Sequence, residues 1–438
     1  MKYLITTFGC QSNIADSEKT AKVLESTGYK KASDLKDLLS AKEPVLIFNT
    51  CSVRQKAEDR VFGLNKKLQD LKIKSAKRRI KLKIILTGCM MHYSESELKK
   101  RLPYFDYFVD MKNIDNLPKL LGAEKTLNVT IGKRSQSSGH ILDYDKELLL
   151  KKTVKTSVLI PISNGCNNFC TYCIVPYARG REISRPVEEI LNDVNLAVKP
   201  PNGAKEVWLL GQTVNGYKEK EIKFFDLLRL VNNISGDFWI RFTSPHPKDF
   251  SDDLIKAMAE CEKFAHYINL PVQSGNNAVL KRMGRPYTVG HYKKLIKKIR
   301  RAMPDIAIST DIIVGFPGET RKQFEDTKKL FEEIKFDMAF ISEYSPRPKT
   351  TAAKMFEDDV SHKEKEARKD ELNEILKKTA LENNQKLVGQ TVKVLNNRTA
   401  GNKLVKIIGK SASWRIKDEF INIKITKAEA WKLEGKVA

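Results

Sequence analysis

The feature that most constrains the fold is a repeated alternation of short apolar runs with amphipathic helical stretches. Near the N-terminus, three short apolar runs with many β-branched residues each lead to a cysteine, namely Cys10, Cys51 and Cys89. Short β-branched runs indicate buried strands, and helical stretches between them favour a parallel sheet. Asp16 and Ser17 are typical of a helix start, and Gly28 of a helix end. Residues 1–123 are therefore predicted to form one parallel α/β domain.

The three cysteines occupy equivalent places in this predicted sheet. The carboxyl ends of parallel strands lie at one edge, and ligands bind outside that edge. One cysteine there would be an ordinary buried thiol. Three at equivalent strand ends indicate a metal site built from Cys10, Cys51 and Cys89.

A second and larger region of alternation covers residues 153–360. Six strand and helix units are too few to close an eight-stranded barrel, so an open, partial (β/α)6 barrel is predicted. The predicted strands are Ser157–Ile162, Glu206–Leu210, Trp239–Thr243, Tyr267–Leu270, Ile306–Val314 and Asp337–Tyr344. The predicted helices include Val187–Val198, Phe224–Val231, Tyr292–Ala302 and Arg321–Ile334.

The first strand of this region leads into a loop with three closely spaced thiols. Cys166, Cys170 and Cys173 have the spacing C-x3-C-x2-C. A 4Fe-4S cluster is usually held by four thiolates, so a set of three leaves one iron open to another ligand. An open metal position is typical of catalysis. A zinc loop is the alternative, but the loop contains no fourth Cys or His. The seventh cysteine, Cys261, is interpreted as structural.

Polar or glycine-rich turns follow the other strands of the predicted barrel. Gly211 and Gln212 follow the second strand, and the later turns lie at 243–246, 271–275 and 315–319. Because barrels build their active sites at the carboxyl ends of their strands, these turns are expected to share one pocket with the thiol loop.

The remaining segments differ in composition. Residues 124–152 are expected to be a linker, 361–388 a charged helical connector, and 389–438 a small all-β barrel. This last segment has 11 Lys or Arg and four Asp or Glu, and it also contains Trp414 and Trp431. Basic surfaces with aromatic side chains suit RNA, although either tryptophan could instead pack in the core.

The whole chain is basic, with a formal net charge of +25 over 438 residues. A charge of this size attracts a polyanion such as nucleic acid, although a lysine-rich surface without a partner is the alternative. The sequence shows no leader pattern and no apolar run long enough to span a membrane, so we expect a cytoplasmic protein. Clustered cysteines in such a protein indicate metal or redox chemistry rather than disulfides.

Four stretches of this sequence resemble one known family, the radical S-adenosylmethionine methylthiotransferases. The stretches are Gly9–Asn13, Asn49–Ala57, Gly165–Pro186 and Tyr344–Pro348. The resemblance covers essentially the whole chain and implies three parts: an N-terminal methylthiotransferase domain, a partial (β/α)6 radical core and a C-terminal TRAM-like domain that binds RNA. Within the family, the pattern is most similar to the tRNA enzymes that add a methylthio group to carbon 2 of N6-isopentenyladenosine at position 37, beside the anticodon.

The resemblance also implies the cofactors and the partners. Two 4Fe-4S clusters are expected, one on Cys166, Cys170 and Cys173 to cleave S-adenosylmethionine to a radical, and one on Cys10, Cys51 and Cys89 to carry the sulfur. The residues expected to shape the S-adenosylmethionine pocket are Gly211, Gln212, Gln273, Ser274 and Asp311. The expected partners are tRNA and an electron donor such as flavodoxin or ferredoxin. The sulfur donor is left open, and a monomer is expected.

Three alternatives remain at this point. A related methylthiotransferase could act on threonylcarbamoyl-adenosine in tRNA, or on an aspartate of a ribosomal protein. From a different class, the chain could be a non-catalytic RNA-binding iron-sulfur protein. Reductive cleavage of S-adenosylmethionine would separate the last from the other two.

Overall fold

The structure is a computed structural model that describes residues 1–53, 55–122, 156–409 and 418–438. The chain divides into two compact units. The first contains residues 1–149 and 174–183, and the second contains residues 150–173 and 184–438. The predicted linker, 124–152, lies outside the described residues.

The first unit is built on a five-stranded, wholly parallel sheet with the order β2-β1-β3-β4-β5. Its strands are β1 (Lys2–Phe8), β2 (Lys30–Lys31), β3 (Val45–Thr50), β4 (Lys83–Gly88) and β5 (Tyr107–Val109). Its helices are α1 (Gln11–Ser26), α2 (Leu35–Leu38), α3 (Gln55–Phe62), α4 (Asn65–Lys77), α5 (Glu95–Arg101), α6 (Leu117–Leu120) and α7 (Val175–Arg179), with 3-10 turns at Cys89–His92 and Met111–Asn116.

Alternating side chains of the central strands explain why this sheet is covered on both faces. Leu46 and Phe48 of β3 belong to one apolar cluster, whereas Val45 and Ile47 belong to another. All six residues of β3 are buried, as expected for a central parallel strand between helical layers. The sheet therefore presents its strand ends, with the residues that follow them, at one edge.

The core of the second unit has six parallel strands in two sets of three. The first set has the order β12-β9-β6 and the second the order β13-β14-β15. Backbone hydrogen bonds from Ile240 to Lys263 and from Ala265 to Ile240 connect the two sets. The strands are β6 (Ser157–Pro161), β9 (Glu206–Leu210), β12 (Trp239–Phe242), β13 (Tyr267–Asn269), β14 (Ala307–Val314) and β15 (Met338–Glu343). Short strands accompany them: β7 (Ser163–Asn164), β8 (Ile183–Ser184), β10 (Lys218–Glu219) and β11 (Ile222–Lys223).

Helices follow these strands in the order that a partial barrel requires. They are α8 (Val187–Val198), α9 (Phe224–Asn232), α10 (Asp252–Glu260), α11 (Asn277–Arg282), α12 (Val289–Ala302), α13 (Arg321–Ile334) and α14 (Thr351–Met355). The apolar sides of α8, α9, α10, α12 and α13 join the strands in one continuous core, whereas α11 and α14 pack in a smaller separate cluster. A long helix, α15 (His362–Gln385), adds Leu372 and Leu376 to that core.

The C-terminal part is a small curled sheet with the order β17-β16-β19-β20-β18. Its strands are β16 (Thr391–Leu395), β17 (Arg398–Thr399), β18 (Val405–Ile407), β19 (Ile421–Ala428) and β20 (Leu433–Val437). With the N-terminal parallel sheet and the partial barrel, this half-barrel confirms the predicted fold class. Trp414 lies outside the described residues, and Trp431 is exposed.

One buried arginine attaches the half-barrel to the core. Arg241 of β12 is fully buried and donates to the backbone carbonyls of Ala400 at 2.7 Å and Thr399 at 3.0 Å. Its Nε donates to Glu206 at 2.6 Å. Because these groups are buried, the half-barrel is an integral part of the second unit.

Among the described residues, no helix is both long enough and apolar enough to cross a membrane.

Candidate functional site

The three N-terminal thiols converge at one edge of the first sheet. Cys10 follows β1, Cys51 follows β3 and Cys89 follows β4, and Cys51 makes side-chain hydrogen bonds to both of the other thiols. These hydrogen bonds lower the pKa of Cys10 and of Cys89 and raise that of Cys51. Thiolates are the form of cysteine that binds metal, so the lowered pKa values favour ligation by Cys10 and Cys89.

A buried amide network fixes this triad. Asn13 and Asn49 are fully buried, and the Asn13 side-chain amide donates to Asn49 Oδ1 at 3.0 Å. Asn13 Oδ1 also accepts from the backbone N–H of Cys10 at 3.3 Å. The predicted helix start near Asp16 was therefore wrong: α1 begins at Gln11, because Asn13 satisfies the backbone just before it.

A glycine beside this network shows how closely the strands approach one another. Gly88 has φ +94°, and a Cβ there would lie 2.4 Å from Asn49 Oδ1. A side chain at this position would therefore displace Asn49. The site depends on these neighbours as well as on its thiols.

The second thiol set lies on an irregular loop between β7 and α7. Cys166 and Cys170 are buried, and Cys173 is partly buried. The loop is held by Thr171, whose backbone N–H donates to the carbonyl of Met283 at 2.9 Å and whose carbonyl accepts from Ala352 at 2.7 Å. The turn after α11 and the start of α14 thus support the loop from within the same unit.

Hydrogen-bond donors approach two of these sulfurs. The Thr213 hydroxyl lies 3.3 Å from Cys166 Sγ, and the Asn168 backbone N–H donates to the same sulfur at 3.4 Å. The buried Arg285 donates to Cys170 Sγ at 3.5 Å and to the Pro271 carbonyl at 2.8 Å. Hydrogen bonds to the sulfurs tune the reduction potential of iron-sulfur clusters.

A buried histidine lies at the end of the third barrel strand. The backbone N–H of His246 donates to Asn215 Oδ1 at 2.7 Å, and the side-chain amide of Asn215 donates to the His246 carbonyl at 2.9 Å. Nδ1 of His246 accepts from the Lys248 backbone N–H at 3.2 Å, so its proton is on Nε2. Burial, followed by the charges of Arg285 and Lys248, lowers the pKa of His246 to about 2. His246 is therefore neutral at physiological pH, and its ring packs edge-on against Tyr287.

The residues predicted to shape the S-adenosylmethionine pocket lie in two places in the second unit. Gly211 and Gln212 follow β9, and a Cβ on Gly211 would lie 2.8 Å from Ser163 Oγ. Gln273 has φ +74° and donates its backbone N–H to the Asp311 carbonyl at 2.9 Å. Ser274 Oγ accepts from the Asn276 backbone N–H, which makes it part of the turn before α11. Their contact with a cofactor stays a prediction.

Both thiol sets have the donor chemistry of 4Fe-4S clusters. Among the residues that the structure describes, no group of three or more His, Cys, Asp or Glu side chains is arranged to hold a single metal ion. Each set supplies three thiolate ligands, the ligand type that holds 4Fe-4S clusters, and hydrogen-bond donors approach the sulfurs of the second set.

Sequence reasoning missed several side chains of these sites. Asn13 and Asn49 lie within the stretches that resemble the family, but the sequence indicates no role for them, nor for Thr213 and Arg285. Arg179 was missed as well; it pairs with Asp16 and interacts electrostatically with Cys10 and Cys89. The available signal was a polar residue, Asn49, in the mostly apolar strand β3.

Two family models match two separate stretches of the chain. Residues 160–331 match the model described as "Radical SAM superfamily", and residues 2–110 match the model described as "Uncharacterized protein family UPF0004". The partial barrel, the three-thiol loop and the first of these matches together define a radical S-adenosylmethionine enzyme.

Curated relatives narrow the class further. The tRNA-2-methylthio-N(6)-dimethylallyladenosine synthase of Clostridium novyi is 40% identical over 456 residues, covering 100% of this chain and 96% of that protein. The protein of the same name from Thermoanaerobacter sp. is also 40% identical, covering 99% of this chain and 92% of its own length. The chain therefore belongs to the tRNA-2-methylthio-N6-dimethylallyladenosine synthase family of radical S-adenosylmethionine methylthiotransferases.

Solved structures agree on the fold alone. The radical S-adenosylmethionine methyltransferase TsrM from Kitasatospora setae has a TM-score of 0.55 at 14% identity, covering 80% of this chain and 74% of that one. The cobalamin-dependent radical enzyme OxsB has a TM-score of 0.54 at 13% identity, covering 85% of this chain and 56% of that one.

Proposed function

We propose that this enzyme adds a methylthio group to carbon 2 of N6-isopentenyladenosine at position 37 of tRNA, by radical S-adenosylmethionine chemistry. The observation that carries the proposal is the pair of thiol triads, one in each compact unit, in a chain that is 40% identical over its full length to synthases of this name. Reductive cleavage of S-adenosylmethionine by the purified protein would exclude the alternative of a non-catalytic RNA-binding iron-sulfur protein.

The chain's own residues would prepare both sites. Cys166, Cys170 and Cys173 would hold one cluster, and Cys10, Cys51 and Cys89 the other. When bound, the clusters and S-adenosylmethionine would supply the electron, the radical and the sulfur needed to replace an aromatic carbon-hydrogen bond by a carbon-sulfur bond. Thr213 and Arg285 orient the sulfurs of Cys166 and Cys170. Asn13 fixes Cys10 through its backbone N–H.

The partners follow from the substrate. A cytoplasmic location matches a tRNA substrate, and a flavodoxin or ferredoxin is proposed as the electron donor. We propose that the enzyme works as a monomer, because each chain carries both triads.

The direct test is nucleoside mass spectrometry of tRNA from a host strain that lacks its own synthase. Expression of this protein should restore the 2-methylthio form of isopentenyladenosine. The variant with Cys10, Cys51 and Cys89 replaced by Ala should leave isopentenyladenosine unmodified while still cleaving S-adenosylmethionine. Methylthiolation of threonylcarbamoyl-adenosine or of a ribosomal-protein aspartate instead would contradict the proposed substrate.

Iron content tests the ligand assignment separately. The reconstituted protein should carry about eight irons, because each triad holds one four-iron cluster. Replacing Cys166, Cys170 and Cys173 by Ala should leave about four irons and abolish S-adenosylmethionine cleavage. Cys261→Ala is the matched control: its thiol is buried in the apolar core of the second unit and belongs to neither triad, so its loss should not affect iron content. Full iron in either triple variant would remove that triad as a ligand set.

A further inference from the structure

A buried ion pair lies beside the N-terminal triad in the first unit. Arg179, the last residue of α7, donates through Nη2 to Asp16 Oδ2 at 2.6 Å. The side chains are only 9% and 18% exposed. Asp16 lies in α1, the helix that Cys10 caps, and α7 packs against the 3-10 turn that begins at Cys89. The pair therefore stands between the elements that carry two of the three thiols.

The pair interacts with those thiols electrostatically. The positive charge of Arg179 stabilises the thiolates of Cys10 and Cys89, and the carboxylate of Asp16 acts against the thiolate of Cys89. A buried charge is costly unless it is compensated. Asp16 supplies one negative charge to Arg179, and anionic sulfur ligands beside the pair would supply more that the same guanidinium attracts. The position of Arg179 thus makes physical sense when the triad carries negative charge.

We infer that Arg179 and Asp16 are positioning residues that set the reduction potential of the cluster on Cys10, Cys51 and Cys89, Arg179 by raising it and Asp16 by lowering it. The inference rests on the proposed ligand set. Net charge around an iron-sulfur cluster is one of the determinants of its potential. A nearby positive charge favours the reduced form, which carries one more electron, and a negative charge disfavours it.

The test uses full-length protein with Cys166, Cys170 and Cys173 replaced by Ala, so that a single cluster is observed. Its midpoint potential is measured by a redox titration followed by electron paramagnetic resonance. In this background Arg179→Gln should lower the potential and Asp16→Asn should raise it. We expect a change of about tenfold in the reduction equilibrium for each, which is about 59 mV for a one-electron couple. Arg179→Lys should retain most of the original potential.

Arg78→Gln is the matched control, since it removes the same charge at an exposed position after α4 and should leave the potential unchanged. Opposite shifts for Arg179→Gln and Asp16→Asn would support the inference, because general damage to packing has no reason to depend on the sign of the charge removed. Shifts in the same direction, or no shift, would overturn it.

Iron content distinguishes a failure of this inference from a failure of the proposed ligand set on which it rests. A background protein without any cluster would overturn the proposed ligand set and this inference together. A full cluster with an unchanged potential in Arg179→Gln would overturn this inference alone. Loss of the cluster in both Arg179→Gln and Arg179→Lys would also overturn it, because shape rather than charge would then be required.

Discussion

At the scale of single residues, the chemistry of the thiols is set by neighbours that carry no reactive group. Asn13 fixes Cys10 through its backbone, and Arg285 reaches Cys170 from a different element. The contact between Arg285 and Cys170 joins residues 115 positions apart, so no local sequence pattern predicts it. The thiols themselves were predictable because three residues of one rare type at equivalent strand ends form a pattern that a single sequence displays.

His246 gives a prediction for the dependence of stability on pH. Burial lowers its pKa to about 2, below the value near 6.5 of the unfolded chain. The unfolded state therefore binds the proton first, and the stability contributed by neutral His246 is present above pH 6.5 and lost as the pH falls toward 2. Between pH 7 and pH 5 the loss should be about 2 kcal/mol.

Urea unfolding of the wild type and of His246→Asn over this pH range tests the prediction. Asn cannot take up the proton, yet its Oδ1 can still accept from the Lys248 backbone N–H. The variant should therefore be less stable at neutral pH but should show a flatter decline on acidification. Parallel pH curves for the two proteins would show that the histidine is not held neutral by the fold.

At the scale of elements, the strands and helices of the partial barrel were largely predictable. Val187–Val198 and Arg321–Ile334 are helices with the predicted bounds, because their apolar spacing faces one continuous core. The short strands β17 and β20 were not predicted, since neither contains a long apolar run. The integration of α15 was also missed: a densely charged sequence suggested a connector, but Leu372 and Leu376 are buried in the core.

One ion pair ties α15 to the turn after β14. Arg368 Nη1 donates to Glu319 Oε2 at 2.9 Å, with 4% and 1% of the side chains exposed. Glu319 also accepts from the Gly315 backbone N–H at 2.7 Å. Burial raises the pKa of Glu319, although the Gly315 N–H and Arg368 oppose this. The carboxylate therefore depends on its partner to remain charged.

Arg368→Met should reduce the free energy of unfolding by about 3–5 kcal/mol, since it leaves Glu319 buried without its cation. Adding Glu319→Gln should recover part of that loss, as a neutral amide needs no counter-ion. Arg321→Met is the control, because Arg321 pairs with Glu325 and Glu371 on the surface and should cost at most about 1 kcal/mol. Chemical denaturation of the wild type, these three variants and the single variant Glu319→Gln provides the measurement, and additive losses in the double variant would rule out the coupling.

At the scale of the whole molecule, the structure determines how the predicted binding of RNA by the half-barrel can be tested. From sequence, residues 389–438 look like a detachable domain. The structure shows that their removal would strip Arg241 of two buried acceptors, at Thr399 and Ala400, and would uncover Trp239, which packs against Phe420. A truncated protein would therefore lose stability as well as charge. Single surface charges are the better probe, and only the structure could identify them.

Lys424 and Lys436 are the most informative of these charges. They face each other directly across β19 and β20, and both are exposed. Like charges directly opposite one another destabilise a sheet, so this pair is better explained by an anionic partner than by the fold. Within the part of the half-barrel that the structure describes, the exposed Lys406 and Lys427 instead pair with Glu434 and Glu429. We therefore expect Lys424 and Lys436 to contact the tRNA backbone.

The variant with Lys424 and Lys436 both changed to Gln should bind tRNA more weakly, and its affinity should depend less steeply on salt. Losing two phosphate contacts should reduce the slope of log affinity against log salt by about 2.

The control changes Lys406 and Lys427 to Gln, which removes the same charge from lysines already paired with glutamate. Its slope should change less. Cleavage of S-adenosylmethionine without tRNA should be unaffected in both, because phosphate contacts position the substrate and carry no chemistry. Equal slopes for the two double variants would refute the assignment of this lysine pair to tRNA binding.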